Sequence, residues 1–248
     1  MAATTIRRLT DAEAVSRTAA EEFIRLGREA NAARQRFTVA LSGGSTPRRL
    51  FEILAAAPFR DQLDWSTVEF FWGDERAVPP DHKDSNFGMA RAAMLQSLAI
   101  APPRIHRMQA ERADRDAAAH EYQAEVARVF GAAGDAPPAF DLILLGMGPD
   151  GHTASLFPYT DALREATRWV VPNYVPKLSA HRLTMTPTLI NRAACVMFLV
   201  AGPDKAVPLA EVLEGPPDLD RLPSQRIHPE RGRLVWLVDR PAASKLTR

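Results

Sequence analysis

Short apolar runs alternate along this chain with longer stretches in which apolar residues recur at helical spacing. The short runs predict buried strands, because a strand that is covered on both faces shows no polar alternation. They lie at residues 36–41, 67–72, 140–145, 169–171, 195–201 and 234–238. Predicted helices occupy residues 10–35, 47–57, 86–98, 112–130 and 205–214. Strands that alternate with helices favour parallel βαβ units.

The alternation predicts one α/β domain over residues 1–248, built as an open, mostly parallel, Rossmann-like sheet flanked by helices. Two stretches rich in Gly and Pro, 131–138 and 215–223, are each short enough to be a surface loop. No internal repeat divides the sequence. Because a fold of this class hosts many activities, function has to be argued from particular residues.

The composition excludes several classes of protein. Of the 248 residues, 46% are hydrophobic and 25% charged, and the formal net charge is +1. This balance provides no basic surface for nucleic acid or for an anionic membrane. No apolar stretch reaches the ~18 residues that span a bilayer, and the N-terminus lacks the apolar core of a signal peptide. We therefore expect a cytoplasmic location.

The cysteine and histidine content predicts neither a disulfide nor a metal centre. The single cysteine, Cys195, lies in an apolar run and is interpreted as a core residue. The six histidines show no paired spacing and have no cysteine partner, which argues against zinc. We expect no metal and no cofactor.

The strongest candidate for chemistry follows the strand predicted at 140–145. Residues 146–152 read Gly-Met-Gly-Pro-Asp-Gly-His and bring Asp150 and His152 to the carboxyl end of a buried strand. Ligands bind at this edge of open α/β sheets. The glycines let the backbone turn sharply and approach a ligand closely, and histidine is the side chain best suited to exchange a proton near neutral pH. The pattern indicates an acid–base site.

A second glycine-rich loop follows the strand predicted at 36–41. Its residues are Ser42, Gly43, Gly44, Ser45 and Thr46. With Thr46 as the cap and Pro47 as the first helical residue, a helix would begin here, and the unpaired amides of a helix start bind anions. The loop lacks the ending of a Walker loop and the Gly-x-Gly-x-x-Gly pattern, so a dinucleotide site is unsupported. It indicates either a phosphate site or simply a capped helix.

Three charged residues follow the strand predicted at 67–72. They are Asp74, Glu75 and Arg76. Unpaired charges are costly to bury, so these side chains should lie at the sheet edge, in contact with one another, with solvent or with a ligand. A surface salt-bridge cluster is the simpler alternative.

Two further basic residues belong to the same set of candidates. Lys205 follows the strand predicted at 195–201 and lies near a helix start, where the helix dipole opposes a cation unless an anion is bound. A solvated lysine is the alternative. Arg182 lies in a short strand-like run and could point into the same cleft.

Five motifs occur in an order that is typical of one known family. They are Ser42-Gly43-Gly44-Ser45-Thr46-Pro47, Gly73-Asp74-Glu75-Arg76, Ser85-Asn86-Phe87, the run from Gly146 to Ser155, and Gly202-Pro203-Asp204-Lys205. Each motif alone is weak, but together they resemble 6-phosphogluconolactonase from about residue 37 to about residue 240. The resemblance implies the fold that this family shares with glucosamine-6-phosphate deaminase.

The deaminase is the nearest alternative. Its pattern continues from Asp-Gly-His through Ile-Ala-Phe to Asn-Glu-Pro, whose acid helps to open the sugar ring. Residues 153–158 of this chain are instead Thr-Ala-Ser-Leu-Phe-Pro, with no acid. The deaminase usually has Asp-Glu-Tyr where this chain has Asp74-Glu75-Arg76. Both departures favour the lactonase. A non-catalytic sugar-phosphate sensor is a third alternative, although no helix-turn-helix segment or basic arm indicates a DNA-binding regulator.

The resemblance implies hydrolysis of 6-phospho-D-glucono-1,5-lactone to 6-phosphogluconate, in the oxidative pentose phosphate pathway. His152 would be the general base that activates water. Arg76 would stabilise the oxyanion or hold the phosphate, and Asp74 would orient Arg76 or bind substrate hydroxyls. Asp150 would do the same or shape the turn. The phosphate would bind Ser42, Gly43, Gly44, Ser45, Thr46, Arg182 and Lys205. We expect a monomer or weak homo-oligomer whose partner is the small sugar-phosphate lactone.

Overall fold

Parallel strands form the central sheet of this protein, whose computed structural model describes residues 4–132, 134 and 136–247. The strands are β1 (Thr4–Leu9), β2 (Phe37–Leu41), β3 (Val68–Trp72), β4 (Asp74–Arg76), β5 (Leu142–Leu145), β6 (Val170–Val175), β7 (Ala180–Met185), β8 (Cys195–Val200) and β9 (Arg233–Asp239). Six of these described strands pair in parallel in the order β1-β9-β8-β5-β2-β3. The predicted mostly parallel sheet is therefore confirmed.

Helices connect the strands of the central sheet and cover both of its faces. They are α1 (Ala12–Arg34), α2 (Ser45–Ala55), α3 (Asn86–Ala90), α4 (Arg115–Phe130), α5 (Pro187–Ile190) and α6 (Ala206–Glu214). The helix predicted at 86–98 is only partly regular, because α3 continues as a π-helical turn over Arg91–Leu95. Among the residues that the structure describes, every helix is too short or too polar to cross a membrane.

Each face of the central sheet packs against its own apolar core. In β5, Leu142 and Leu144 face the core that α1 and α2 cover, whereas Ile143 faces the core that α4 and α6 cover. Successive side chains of a strand point to opposite faces, so a strand that is buried on both faces is apolar at every position. Cys195 of β8 is accordingly a core residue, 1% exposed, and burial raises the pKa of its thiol.

The order of the strands reverses between β2 and β5. From β2 the chain proceeds to β3 on one side, and it later enters β5 on the other side, from which β8 and β9 continue outward. The carboxyl ends of β2 and β5 therefore flank a topological switch point, where open α/β sheets bind ligands. The loops after β8, β5, β2 and β3 are neighbours along this edge because their strands are neighbours.

A small antiparallel sheet, in the order β4-β7-β6, adds to this edge. The strand predicted at 169–171 extends to Val175 as β6, and the strand-like run that contains Arg182 lies in β7. β4 consists only of charged residues, so no apolar pattern could predict it. β1, at the outer edge of the central sheet, also escaped prediction because five of its six residues are exposed.

A buried histidine connects α4 with β3. His106 is 6% exposed and contacts Glu125 of α4 through Nδ1 (2.7 Å) and Glu69 of β3 through Nε2 (3.0 Å). Arg128 donates two further hydrogen bonds to Glu125, at 2.7 and 2.6 Å. The hydrogen bonds from Arg128 lower the pKa of Glu125 to about 2, against the effect of burial and with a further contribution from His106.

Replacement of Glu125 by Gln should destabilise the fold at neutral pH. Because the pKa of Glu125 in the folded protein lies below its ordinary value of 4.5, the carboxylate stabilises the fold above that pH, and this contribution is lost as the pH falls toward 2. We expect a loss of about 1 kcal/mol at pH 7, since the group is partly exposed. Urea unfolding followed by circular dichroism at several pH values measures it. Glu21→Gln, at an exposed position of α1, is the control, and a loss that is independent of pH would contradict the assignment.

Candidate active site

Four loops meet at the carboxyl edge of the central sheet, as the sequence predicts. The loops that follow β8, β5, β2 and β3 contain Lys205, His152, Gly43 and Asp74 respectively. Neighbouring strands are about 4.8 Å apart, so side chains of adjacent loops are within reach of one another. The site is thus built from segments that are distant in the sequence.

The carboxylate of Asp74 joins two of these loops. It is 6% exposed and accepts hydrogen bonds from Ser155 Oγ (2.6 Å) and from Asn86 Nδ2 (3.3 Å). The Asn86 amide also donates to the backbone carbonyl of Asp74 at 2.9 Å. Ser155 belongs to the loop after β5, and its own amide donates to Thr184 Oγ1 of β7 at 3.2 Å. These contacts favour a role for Asp74 in holding the loops together over one in orienting Arg76.

A second buried carboxylate, that of Glu75, holds the start of α3. It is 3% exposed and accepts the backbone N–H groups of Asn86 and Phe87, each at 2.8 Å, and the Ser85 hydroxyl at 3.1 Å. The first amides of a helix have no partner within the helix, so the carboxylate supplies one. Burial raises the pKa of Glu75, although these amides act in the opposite direction. Glu75 thereby fixes the position of Asn86.

The glycines after β2 allow the backbone to approach Asn86. A Cβ at position 43 would lie 1.9 Å from Asn86 Oδ1, which excludes every side chain larger than that of glycine. Gly44 has a φ of 105°, a conformation that favours glycine.

The prediction of Thr46 as the cap of the following helix is wrong. The turn at Gly44 starts α2 at Ser45, so Gly44 is the capping residue and Thr46 lies within the first turn. No side chain caps this helix start, which leaves its amides available for a ligand. The first turn also contains no acidic residue that would repel an anion.

His152 and Asp150 form a hydrogen-bonded pair in the loop after β5. Nδ1 of His152 lies 2.5 Å from Oδ1 of Asp150, and the imidazole stacks on Phe157 with ring centroids 4.0 Å apart. Gly148 makes room for the imidazole, because a Cβ there would lie 2.0 Å from Nδ1. The pairing places a proton on Nδ1, which leaves Nε2 as the nitrogen that can accept one.

The second oxygen of Asp150 accepts a hydrogen bond from Lys177 Nζ at 3.1 Å. Burial alone would raise the pKa of Asp150, but the hydrogen bond with His152 and that with Lys177 together hold it well below its usual range. The carboxylate therefore stays ionised at neutral pH and continues to accept the Nδ1 proton.

A cavity of about 260 Å³ lies at the start of α2. Its lining includes the cationic Arg48, Arg76 and Lys83, the acidic Asp84, the helix-start residues Gly44 and Ser45, and Asn86. Arg76 is directed here by a hydrogen bond from its Nη1 to the carbonyl of Asp84 (2.7 Å). Cationic side chains beside an uncapped helix start are suited to a phosphate group.

Two arginines face each other across the β4–β7 pair, and one of them lines this cavity. Arg76 of β4 and Arg182 of β7 are directly paired in the antiparallel register. Like charges in this arrangement repel. Burial lowers the pKa of Arg182 and the charge of Arg76 lowers it further, while the carboxylates of Asp74, Glu75 and Asp84 act in the opposite direction. A bound anion would relieve the repulsion, so the pair favours a negatively charged group of a ligand at this position.

Two other residues that the sequence predicts to bind the phosphate do not line this cavity. Lys205 does not line the cavity at α2; its Nζ pairs with Asp204 at 2.9 Å, and β5 separates its strand from β2. It lies instead beside the loop of His152. Ser42 is buried, and its hydroxyl donates to the carbonyl of Gly43 at 3.4 Å, a contact that supports the turn.

The structure adds side chains to which the sequence assigns no role. They are Arg48, Glu75, Asn86, Ser155 and Lys177. Arg48 could have been predicted from the sequence, because it is a basic residue in the first turn after a Gly-Gly loop. Asn86 and Ser155 lie within the recognised motifs, but their shared partner Asp74 is visible only in the fold. Lys177 follows no strand of the central sheet, so no sequence pattern indicated a role for it.

The comparisons with known proteins agree with this geometry. Residues 10–236 match the family described as glucosamine-6-phosphate isomerases/6-phosphogluconolactonase. A 6-phosphogluconolactonase of Synechocystis is 45% identical over 218 residues, 88% of each chain. The structure of 6-phosphogluconolactonase from Trypanosoma cruzi has a TM-score of 0.89 at 27% identity and covers 100% of this chain and 99% of its own. A monomeric glucosamine-6-phosphate deaminase has a TM-score of 0.79 at 22% identity over 97% of this chain and 99% of its own, which shows a shared fold.

Fold and site together define an α/β protein with a cation-lined cavity and a hydrogen-bonded Asp–His pair at one sheet edge. The chain belongs to the glucosamine-6-phosphate isomerase/6-phosphogluconolactonase family. The family resemblance that the five motifs indicate is thereby confirmed.

Substitution of Gly43 by Ala should disturb both the fold and the site. The new methyl group would collide with Asn86 Oδ1 and displace Asn86 from its hydrogen bonds with Asp74. We expect a loss of about 1–3 kcal/mol in the free energy of unfolding, as for other overpacked positions. Thermal unfolding measures this loss. Gly146→Ala is a matched control, because a Cβ there meets nothing within 4 Å. Equal stability of the two variants would show that the close approach of the Gly43 backbone to Asn86 does not restrict the side chain at position 43.

Proposed function

We propose that this protein hydrolyses 6-phospho-D-glucono-1,5-lactone to 6-phosphogluconate, a step of the oxidative pentose phosphate pathway. The observation that carries the proposal is the Asp150–His152 pair, which shares one sheet edge with a cation-lined cavity. The relatives from Synechocystis and Trypanosoma cruzi, which match most of this chain, are 6-phosphogluconolactonases. A lactone is a reactive ester, so a base, an oxyanion donor and a phosphate site suffice for its hydrolysis.

His152 acts as the general base in this mechanism. Nε2 takes a proton from water as the water oxygen bonds to the lactone carbonyl carbon, and the carbonyl becomes an oxyanion. When the tetrahedral intermediate collapses, the bond from this carbon to the ring oxygen breaks, and the imidazolium returns its proton to the ring oxygen. Asp150 keeps the imidazole in the tautomer that this cycle requires.

The phosphate occupies the cavity at the start of α2. Backbone amides of Gly44 and Ser45 and the guanidinium of Arg76 hold it there, which favours phosphate binding over oxyanion stabilisation as the role of Arg76. Arg182, opposite Arg76 in the register, adds a second cation on the phosphate side of the site. Contacts with a phosphate remote from the reacting carbon orient the lactone for attack.

We further propose a single catalytic domain over residues 1–248 that works in the cytoplasm as a monomer or weak homo-oligomer. Its partner is the small sugar-phosphate lactone, without nucleic acid. The formal net charge of +1 supports the latter point, because binding to nucleic acid depends on an excess of positive charge.

Hydrolysis of freshly prepared 6-phosphogluconolactone, coupled to 6-phosphogluconate dehydrogenase, tests the activity. We expect rates well above the spontaneous reaction, and little hydrolysis of unphosphorylated gluconolactone, because the cationic cavity then has no ligand. Release of ammonia from glucosamine 6-phosphate, without lactone hydrolysis, would indicate a deaminase instead. Binding of sugar phosphates with neither reaction would indicate a sensor.

Replacement of His152 by Gln should lower kcat by about 10²-fold or more, because the general base is lost. KM should change little, since the phosphate contacts are elsewhere. His120→Gln is the matched control, because His120 is exposed on α4. Near-normal turnover of a folded His152→Gln protein would exclude His152 as the base.

A further inference from the structure

The turn between β6 and β7 places a lysine on the acid–base pair. Residues Pro176–Leu178 form a single 3-10 turn, which Ser179 closes with a φ of 46°. Lys177 extends from this turn, and its Nζ lies 3.1 Å from Oδ2 of Asp150. The side chain of Lys177 is 67% exposed, whereas that of Asp150 is 21% exposed. The hairpin thus reaches over the loop after β5 without belonging to the central sheet.

The two oxygens of Asp150 have separate partners. Oδ1 accepts from Nδ1 of His152 at 2.5 Å and from the His152 backbone N–H at 3.4 Å, and Oδ2 accepts from Lys177. A carboxylate with one partner can rotate about its Cβ–Cγ bond, whereas two partners on opposite oxygens hold its plane. Lys177 therefore restricts the direction in which Oδ1 meets the imidazole.

The surrounding charges leave Lys177 as the cation that acts on Asp150. A cavity of about 540 Å³ beside the pair is lined by Asp150 and Lys177 and also by Glu211 and Arg221. Glu211 and Arg221 pair with each other at 2.9 Å. Among the described residues, the side chains that contact the carboxylate of Asp150 are those of His152 and Lys177.

We propose that Lys177 is a positioning residue for lactone hydrolysis, which acts through Asp150 to hold the imidazole of His152 in its working orientation and tautomer. The inference rests on the proposed role of His152 as the base. Lys177 is not assigned a contact with the substrate. The β6–β7 hairpin accordingly serves the site twice, with Lys177 on the acid–base pair and Arg182 on the anion side.

Substitution of Lys177 by Met tests the proposal through kcat, KM and pH dependence. We expect kcat to fall about 3- to 10-fold, the range for loss of a charged hydrogen bond that is partly exposed, while KM stays unchanged. Removal of the positive charge favours the protonated imidazole, so the acidic limb of the kcat/KM profile should move to higher pH. Lys177→Arg should restore both properties, and Lys245→Met, at an exposed position, should resemble the wild type.

A double-mutant cycle shows whether Lys177 acts through Asp150. In an Asp150→Asn background, Lys177→Met should have no further effect on kcat. Additive losses would overturn the proposal, as would an increase in KM at constant kcat, which would indicate direct substrate binding. Unchanged kinetics of Lys177→Met would also overturn the proposal, because the contact would then be a surface ion pair with no effect on catalysis.

A spectroscopic measurement separates this proposal from the proposed function. The Nδ1 proton of His152, identified in the proton NMR spectrum by its loss in His152→Gln, should exchange faster with solvent in Lys177→Met than in the wild type or in Lys177→Arg. Equal exchange in all three proteins would overturn the positioning role. Wild-type protein without lactonase activity would instead overturn the proposed function, and the exchange measurement would still report on Lys177.

Discussion

The buried carboxylate of Asp74 accepts hydrogen bonds from two segments that the chain topology keeps apart. Ser155 brings the loop after β5 to it, and Asn86 brings the start of α3. Asn86 in turn lies against Gly43 of the loop after β2. The loop after β2, the loop after β5 and the charged strand β4 therefore keep their relative positions through one carboxylate. A buried charge of this kind is stable only while its hydrogen bonds are made, which couples the geometry of the site to the integrity of the fold.

The cationic side chains of the site and its Asp–His pair lie in different places. The cations Arg48, Arg76 and Arg182 lie toward α2 and β7, where a phosphate can be held. The pair Asp150–His152 lies in the loop on the other side of the switch point, where a proton can be exchanged. The cations of the cavity thus lie on different segments from the Asp150–His152 pair. This separation follows from the connections of two adjacent strands, since the loop after β2 continues into α2, whereas the loop after β5 leads to β6 of the antiparallel sheet.

Much of this arrangement was predictable from the sequence. Buried parallel strands appear as unbroken apolar runs, so β2, β3, β5 and β8 and the polar loops after them were found, and parallel pairing implied that these loops share an edge. The pairings of Asp74 and the contact of Lys177 were not predictable, because they depend on the antiparallel sheet. That sheet contains β4, whose residues are all charged. The cap of α2 was misplaced by two residues because a glycine with positive φ can begin a helix without a polar side chain.

The outer edge of the central sheet has a consequence for synthesis of the chain. β1 pairs only with β9, in the register Thr4 with Leu234, although the two strands lie at opposite ends of the described sequence. During translation β1 leaves the ribosome long before β9 exists, so it has no native partner in the sheet until β9 has been synthesised. β1 contains the charged residues Arg7 and Arg8 and is largely exposed, which suits a strand that remains unpaired in solvent until its partner is made. The last pairing of the sheet is then also the one that joins the first and the last of the described strands.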